Sequence, residues 1–162
     1  MSARPGPLLF VMIIALDQLT KALLVTFLPA DGPVVLTPFF NLVLVHNTGI
    51  SFGVFRAAPG WGRWALVLLT LAIGLALMVW LRREVRLMPR LAIWAILAGA
   101  VGNLIDRLRL GAVVDFLDFH LGGYHWPAFN VADSMIVLGA ALLVIDGLLL
   151  QRAPLDKVEE KS

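Results

Sequence analysis

Residues 61–81, WGRWALVLLTLAIGLALMVWL, form an almost uninterrupted apolar segment in which Arg63 is the one charged residue. An α-helix needs about 20 predominantly apolar residues to cross the roughly 30 Å hydrocarbon core of a bilayer. Three further segments have a similar length and character, at 7–28, 91–108 and 131–150. The sequence therefore predicts an all-α integral membrane protein with four transmembrane helices in a single membrane domain.

The composition of the 162 residues agrees with this class and excludes several others. Hydrophobic residues make up 60% of the chain and charged residues 15%, against about 25% charged residues in a typical soluble domain. The chain has no cysteine, which excludes disulfides, thiolate metal ligands and cysteine nucleophiles. The net charge is only +2, and the basic residues do not form a stripe suited to binding nucleic acid. The histidines His46, His120 and His125 lack metal-ligand spacing, so neither a metal nor another cofactor is expected.

The orientation in the membrane follows from one arginine-rich loop. Residues 82–90 contain four arginines, and short loops rich in Lys and Arg remain on the cytoplasmic side. With four spans, both termini are then expected in the cytoplasm. Segments 29–60 and 110–130 are expected outside, and the polar tail 154–162 is expected to be mobile.

The two outer segments contain strand-like patterns. Val34–Leu36, Phe39–Val45 and Val113–Phe119 are rich in β-branched and aromatic residues. We expect a small extracytoplasmic β element, and a short interfacial segment around Phe55–Trp61. Amphipathic aromatic rings favour the headgroup region, and four side chains are expected there: Trp61, Trp64, Tyr124 and Trp126.

Two aspartates, Asp115 and Asp133, flank the short connection between the third and fourth spans. Antiparallel neighbouring spans would bring them to the same depth. Asn130 is suited to cap the fourth helix, which places Asp133 in a first turn that favours a carboxylate, whereas Asp115 has apolar neighbours and should be harder to ionise. Two such carboxylates sharing one proton form a hydrolytic device. Alternatively, the two residues are a helix-start acid and a solvated loop acid without chemistry.

The third span carries a polar face near its outer end. Asn103, Asp106 and Arg107 are spaced i, i+3 and i+4 and share this face, while Gly99 and Gly102 would allow a neighbouring helix to approach closely. The face is suited to orient carboxylates or to bind ester and phosphate oxygens. Alternatively, Asp106 and Arg107 form an interfacial pair that extends to water.

The first span contains Asp17 and Lys21 at i, i+4, a spacing that allows an internal ion pair. We interpret Asp17 as structural and leave Lys21 open between a structural and a functional role. Asp146, near the inner end of the fourth span, is interpreted as structural. The chain lacks a Gly-x-Ser-x-Gly motif, which argues against a serine mechanism.

Taken in order, these motifs resemble the lipoprotein signal peptidase family, the bacterial type II signal peptidases. The resemblance extends over essentially the whole chain. Its motifs are Asp17-x-x-x-Lys21, Asn47-Thr48-Gly49-Ile50-Ser51-Phe52-Gly53, Gly102-Asn103-Leu104-Ile105-Asp106-Arg107, Val114-Asp115-Phe116 and Phe129-Asn130-Val131-Ala132-Asp133.

The resemblance implies an aspartic endopeptidase of the bacterial inner membrane with its active site at the outer face. Its substrate would be a diacylglyceryl-modified prolipoprotein, cut just before the lipidated cysteine. Membrane lipid is the other expected partner, and a monomer is expected. By the resemblance, Asp115 and Asp133 are the catalytic dyad. The supporting residues would be Asn47, Asn103, Arg107 and Asn130 around the dyad and substrate, Asp17 and Lys21 in a more structural role, and Gly49 for close backbone approach.

Two other classes of function remain open from the sequence. A small transporter or channel would relay protons or ions through intramembrane charges such as Asp17, Lys21 and Asp133. However, the polar residues gather at the outer face and no inverted repeat is evident. A structural subunit would have no need of two facing aspartates. Substitution of these aspartates therefore separates the peptidase from both alternatives.

Overall fold

The computed structural model describes residues 5–29, 32–49 and 61–151. Four helices form the bulk of these residues, α1 (Pro5–Phe27), α2 (Trp61–Arg83), α3 (Leu87–Leu110) and α4 (Val131–Gln151). Each is long and apolar enough to cross a membrane, which confirms the predicted fold class. The interfacial segment expected before Trp61 and the tail 154–162 lie outside the described residues.

The helices extend beyond the apolar segments. Helix α2 continues through Arg82 and Arg83, and α3 begins at Leu87, so only residues 84–86 of the expected loop 82–90 are non-helical. Glu84 closes this short connection, because its Oε1 accepts hydrogen bonds from the backbone N–H of Val85 (3.0 Å) and Arg86 (2.9 Å). Hydropathy detects the hydrocarbon-spanning part of a helix, whereas polar side chains allow the same helix to continue beyond it.

Helix α3 is the centre of the bundle and packs against α1, α2 and α4. Small residues bring α3 and α4 together, since a Cβ on Gly99 would collide with the carbonyl oxygen of Ala132. A Cβ on Gly139 would lie 2.7 Å from the carbonyl oxygen of Ala92. Close backbone approach through small residues is a usual way for helices to associate in a bilayer.

Four antiparallel strands form a sheet in the order β1 (Val34–Thr37), β2 (Phe40–Asn47), β3 (Val113–Leu121) and β4 (Tyr124–His125). The three strand-like segments identified in the sequence correspond to β1, β2 and β3, and the predicted β element is confirmed.

Strand β3 connects two helices and so determines where the polar residues meet. Gly111, at φ 81°, ends α3 in the left-handed conformation that glycine adopts without steric cost. After β4 the chain returns, and Phe129 pairs with Leu117 through hydrogen bonds of 2.8 and 3.1 Å. Asn130 and the first turn of α4 are thereby placed beside Asp115.

Candidate active site

Asp115 lies on β3 with only 1% of its surface exposed. Its Oδ1 accepts a hydrogen bond from Asn130 Nδ2 at 2.7 Å, and its Oδ2 accepts one from Asn47 Nδ2 at 2.9 Å. The pairing of Val45 with Asp115 and of Asn47 with Val113 places Asn47 diagonally opposite Asp115 on one face of the sheet. The last residue of β2 therefore reaches the buried carboxylate.

Asn130 and Asp133 form a reciprocal cap at the start of α4. Asn130 Oδ1 accepts the backbone N–H of Asp133 at 2.9 Å, and Asp133 Oδ2 accepts the backbone N–H of Asn130 at 3.3 Å. This arrangement satisfies two backbone donors that a helix start leaves free. The prediction that Asn130 caps α4 and places Asp133 in its first turn is confirmed.

Asn103 of α3 completes the connection between the two aspartates. Its Nδ2 donates to Asp133 Oδ1 at 2.7 Å, and its Oδ1 accepts from Asn130 Nδ2 at 3.2 Å. Asn130 therefore bonds to Asp115 through its side chain and to Asp133 through its backbone N–H, while Asn103 bonds to both Asn130 and Asp133. The structure brings together the two carboxylates and the three asparagines that the sequence indicated.

Behind the asparagines lies a buried charged cluster centred on Lys21, which is 4% exposed. Its ammonium Nζ lies 2.9 Å from Asp17 Oδ2, 2.8 Å from Asp106 Oδ2 and 3.0 Å from Asn103 Oδ1. Asp17 in turn accepts the backbone N–H of Ala132 at 2.9 Å. The predicted Asp17–Lys21 ion pair is confirmed, and Lys21 also connects this pair to Asn103.

The polar face of α3 contacts a carboxylate through Asn103, as one interpretation of the sequence expected, whereas the alternative interpretation of an Asp106–Arg107 pair is wrong. Asp106 pairs with Lys21 rather than with Arg107, and its Oδ2 also accepts the backbone N–H of Val114 at 3.2 Å. Arg107 is partly buried, and its Nη1 lies 3.5 Å from the carbonyl oxygen of Asn103. Among residues 5–29, 32–49 and 61–149, Arg107 forms no ion pair.

Gln18 belongs to the cluster although sequence reasoning did not select it. Its Nε2 donates to Asp106 Oδ1 at 3.0 Å and to the carbonyl oxygen of Gly102 at 3.2 Å. An unpaired amide inside an apolar span is costly, so Gln18 needs a polar partner there. Its position inside the first span, next to Asp17, was the signal that could have identified it.

Two glycines allow the close approach expected of them. Gly49 has φ 81°, its N–H donates to Asn47 Oδ1 at 2.8 Å, and a Cβ there would collide with Leu66. A Cβ on Gly102 would lie 2.6 Å from Asp17 Oδ2. Gly53 lies outside the described residues.

Asp115 is electrostatically unusual for a carboxyl group on a strand. Burial raises its pKa to about 6 from a usual 3.8, and the nearby charge of Asp133 adds to the rise, while hydrogen bonds from Asn47 and Asn130 oppose it. Carboxyl groups with raised pKa values beside a second carboxylate are typical of acid–base catalysis. One member can hold a proton while the other accepts one.

A second polar cluster lies further along the sheet and was not selected from the sequence. Asp118 is buried and bonds to Asn41 Nδ2 and to His125 Nδ1, each at 2.9 Å. Burial alone would raise the pKa of Asp118, but these two hydrogen bonds lower it below its usual value. Within the described ranges, no three His, Cys, Asp or Glu side chains are placed to hold a metal ion.

The helices and the buried polar site define a membrane enzyme of a known architecture. Two solved structures, each described as a bacterial membrane enzyme studied by the in meso method, resemble this chain with a TM-score of 0.80. The first is 31% identical and covers 89% of this chain and 92% of its own. The second is 29% identical, and the match covers 98% of this chain and 94% of the second structure's chain.

The family follows from residues 9–149, which match the family model described as signal peptidase (SPase) II. The chain therefore belongs to the signal peptidase II family of peptidases. A lipoprotein signal peptidase of Paraburkholderia phymatum is 48% identical over 139 residues, which are 85% of this chain and 84% of that protein. One from Burkholderia mallei is 51% identical over 141 residues, 85% and 83% of the two chains.

Proposed function

We propose that this protein is an aspartic endopeptidase that removes the signal peptide from diacylglyceryl-modified prolipoproteins, cutting just before the lipidated cysteine. The family and the relatives named lipoprotein signal peptidase support the substrate class. The observation that carries the catalytic assignment is the position of Asn130, which bonds to both Asp115 and Asp133.

In the proposed reaction, one water molecule is added across the scissile amide. Asp133, as a carboxylate, accepts a proton from the water while the water oxygen attacks the carbonyl carbon. Asp115, protonated, donates to the carbonyl oxygen and stabilises the tetrahedral intermediate. The C–N bond then breaks, the proton held by Asp133 passes to the leaving amine, and Asp115 recovers its proton as the new carboxylic acid forms.

The two roles follow from the surroundings of each carboxyl group. The raised pKa of Asp115 suits the group that holds the shared proton. Asp133 lies in the first turn of α4 and accepts hydrogen bonds from Asn103 Nδ2 and the backbone N–H of Asn130, as suits a carboxylate that receives a proton. Asn47 and Asn103 hold the two carboxyl groups in place from β2 and α3.

The other selected residues support this centre in the proposal. Lys21 and Asp17 fix Asn103 and the first turn of α4 through the contacts described above. Arg107, without an ion-pair partner in the described part of the chain, binds the substrate backbone. Gly49 lets the end of β2 pack beside Leu66.

The proposed setting is the bacterial inner membrane, with both termini cytoplasmic and the dyad at the outer face. A lipidated cysteine would hold the scissile bond at headgroup depth, and the protein would act as a monomer. No metal or other cofactor enters the proposed chemistry.

The test is cleavage of a lipidated prolipoprotein by Asp115→Asn and Asp133→Asn variants, followed by gel shift. Each substitution is expected to reduce cleavage to background, because an amide can neither accept a proton from water nor share one with its neighbour. Asp118→Asn is the matched control, since Asp118 is a buried aspartate on the same strand that bonds to Asn41 and His125 instead of the dyad. Full cleavage by either dyad variant would refute the mechanism.

A further inference from the structure

A cleft between α1 and α2 is a candidate lipid site. Its floor is formed by α3, and its volume is about 470 Å³. At the bundle end that carries residues 84–86 lies a second cavity of about 390 Å³, whose lining includes Arg82, Arg90 and Glu84. Trp94 lines both cavities, so the apolar cleft and the basic pocket lie next to each other at this side chain.

Helices α3 and α2 each have an arginine at the basic end of the cleft and mainly apolar side chains along the rest of it. On α3, Arg90 is followed on one face by Trp94, Leu97, Val101 and Leu104, at helical intervals of three and four residues. From Trp94 to Leu104 the helix rises about 15 Å, which is half of a roughly 30 Å hydrocarbon core. The apolar part of the cleft therefore has the length of one leaflet.

Helix α2 repeats this order in the antiparallel direction. Arg82 lies at the same end as Arg90, and the side chains that precede it on the cleft side are mainly apolar, namely Leu71, Leu75 and Met78, with Thr70 at the far end. Gly74 lies between them, and a Cβ there would be 4.0 Å from Leu97 Cδ2, which leaves the cleft open at its middle.

The basic end of the cleft retains an excess of positive charge. The carboxylates of Glu84 and Asp146 are both bound to Arg86, at 3.1 and 2.6 Å, and the hydrogen bonds from Arg86 lower the pKa of Glu84 to about 2. In the described part of the chain, no carboxylate pairs with Arg82, Arg83 or Arg90. Arg90 is held in place by hydrogen bonds from its Nη1 to the carbonyl oxygens of Leu81 and Glu84.

We propose that this cleft binds an anionic glycerophospholipid, with its phosphate at Arg82 and Arg90 and one acyl chain along Trp94–Leu104. Guanidinium groups bind phosphate oxygens through charge-assisted hydrogen bonds, and basic pockets between transmembrane helices recognise anionic headgroups. An arginine pocket would repel a cationic peptide segment, and the apolar cleft next to it is suited to an acyl chain. The proposal does not depend on the aspartate dyad.

Trp94 provides a direct probe of occupancy. The chain has five tryptophans, so a variant with phenylalanine at the other four positions, 61, 64, 80 and 126, reports on the cleft alone. In nanodiscs of phosphatidylcholine, a small fraction of phosphatidylglycerol with brominated acyl chains is expected to quench Trp94 fluorescence more than the same fraction of brominated phosphatidylcholine. Equal quenching by the two lipids would overturn the proposal.

Arginine variants test the headgroup contact. Each of Arg82→Gln and Arg90→Gln is expected to lower the preference for phosphatidylglycerol about fivefold, the effect of about 1 kcal/mol for each basic residue near an anionic headgroup. Arg83→Gln is the matched control, because Arg83 is an exposed neighbour that does not line either cavity and should leave the preference unchanged. An equal loss in the control, or none in the two pocket variants, would show general surface charge instead of a site.

A variant without any change in charge tests the acyl part. Gly74→Leu fills the cleft and is expected to reduce quenching by both brominated lipids, while the helical circular dichroism remains that of the parent. Unchanged quenching would overturn the acyl assignment. Prolipoprotein cleavage measured on the same variants in detergent separates this proposal from the peptidase mechanism, which these substitutions leave intact.

Discussion

At the scale of single residues, each carboxyl group at the site is positioned by an amide. Asn47, Asn103 and Asn130 come from β2, α3 and the start of α4, and each donates to Asp115 or Asp133. An asparagine side chain both donates and accepts, so Asn130 can cap a helix and hold Asp115 at once. At Asp115 the hydrogen bonds from Asn47 and Asn130 oppose the rise in pKa that burial causes, so removing either donor should raise this pKa further.

The pH dependence of cleavage should respond to Asn47. The hydrogen bond from Asn47 favours the ionised form of Asp115, whose pKa lies at about 6. If the protonated form is active, kcat/KM falls as the pH rises through this value. Asn47→Ala removes the donor, raises the pKa and should move the alkaline limb to higher pH in a detergent assay. Thr48→Ala, an exposed neighbour, should leave the limb in place, and a shift to lower pH in Asn47→Ala would contradict the assignment.

Lys21 should contribute strongly to stability, because it neutralises two buried carboxylates. Lys21→Met leaves Asp17 and Asp106 without their ammonium partner and is expected to lower the free energy of unfolding by about 3–5 kcal/mol. Denaturation of the detergent-solubilised protein measures this loss.

A double variant of Lys21 and Asp106 provides the control for the effect of Lys21. Adding Asp106→Asn to Lys21→Met removes one of the unpaired charges, so the double variant should lose less stability than the sum of the two single variants. Strict additivity would indicate that Lys21 acts independently of Asp106.

At the scale of elements, the position of α4 depends on α1 and α3 together. Asp17 of α1 accepts the N–H of Ala132, and Gly99 and Gly102 of α3 leave room for Ala132 and Asp17. Three helices thus meet at the first turn of α4, the turn that carries Asp133. We therefore expect enlargement at this junction to displace the first turn of α4 and with it Asp133.

Alanine variants of Gly102 and Gly147 form a matched pair that tests the close packing at this junction. Gly102→Ala places a Cβ 2.6 Å from Asp17 Oδ2 and is expected to destabilise the protein by about 1–3 kcal/mol and to reduce cleavage. Gly147→Ala adds the same methyl group where nothing lies within 4 Å, and it should be neutral or stabilising because alanine favours a helix. Thermal unfolding and cleavage of both variants provide the comparison, and equal effects would argue against the junction.

At the scale of the whole molecule, the two ends of the bundle have different chemistry. One end carries the sheet, the asparagines and the two aspartates, and the other carries the arginine pocket and the Arg86–Asp146 ion pair. We expect the sheet end outside the cytoplasm and the arginine end inside, since the arginine-rich connection obeys the positive-inside rule.

Reporter fusions test this orientation. Alkaline phosphatase, which is active only outside the cytoplasm, should be active when fused after Gly60 and inactive when fused after Val85. The two fusions differ by a single span, α2, and so control for each other. A reporter after Gly60 that behaves as cytoplasmic would reverse the proposed topology.

The sequence by itself determined the membrane class, the four helices and the strands β1, β2 and β3, because apolar length and β-branched patterns are local properties of the chain, whereas the short β4 was not predicted. It also pointed to Asp115, Asp133, Asn103 and Asn130, because polar residues beside an apolar span are costly and therefore conspicuous, whereas Asn47 was selected through the family resemblance. The cap made by Asn130 was predictable because it is a local contact between residues only three positions apart.

Only the tertiary structure decided which polar groups pair with one another. Asp106 pairs with Lys21, 85 positions away along the chain, instead of with adjacent Arg107, and Gln18 joins the same cluster. The cleft between α1 and α2 likewise exists because both helices pack on α3. Such pairings depend on which helix faces meet, and spacing along one helix leaves that choice open.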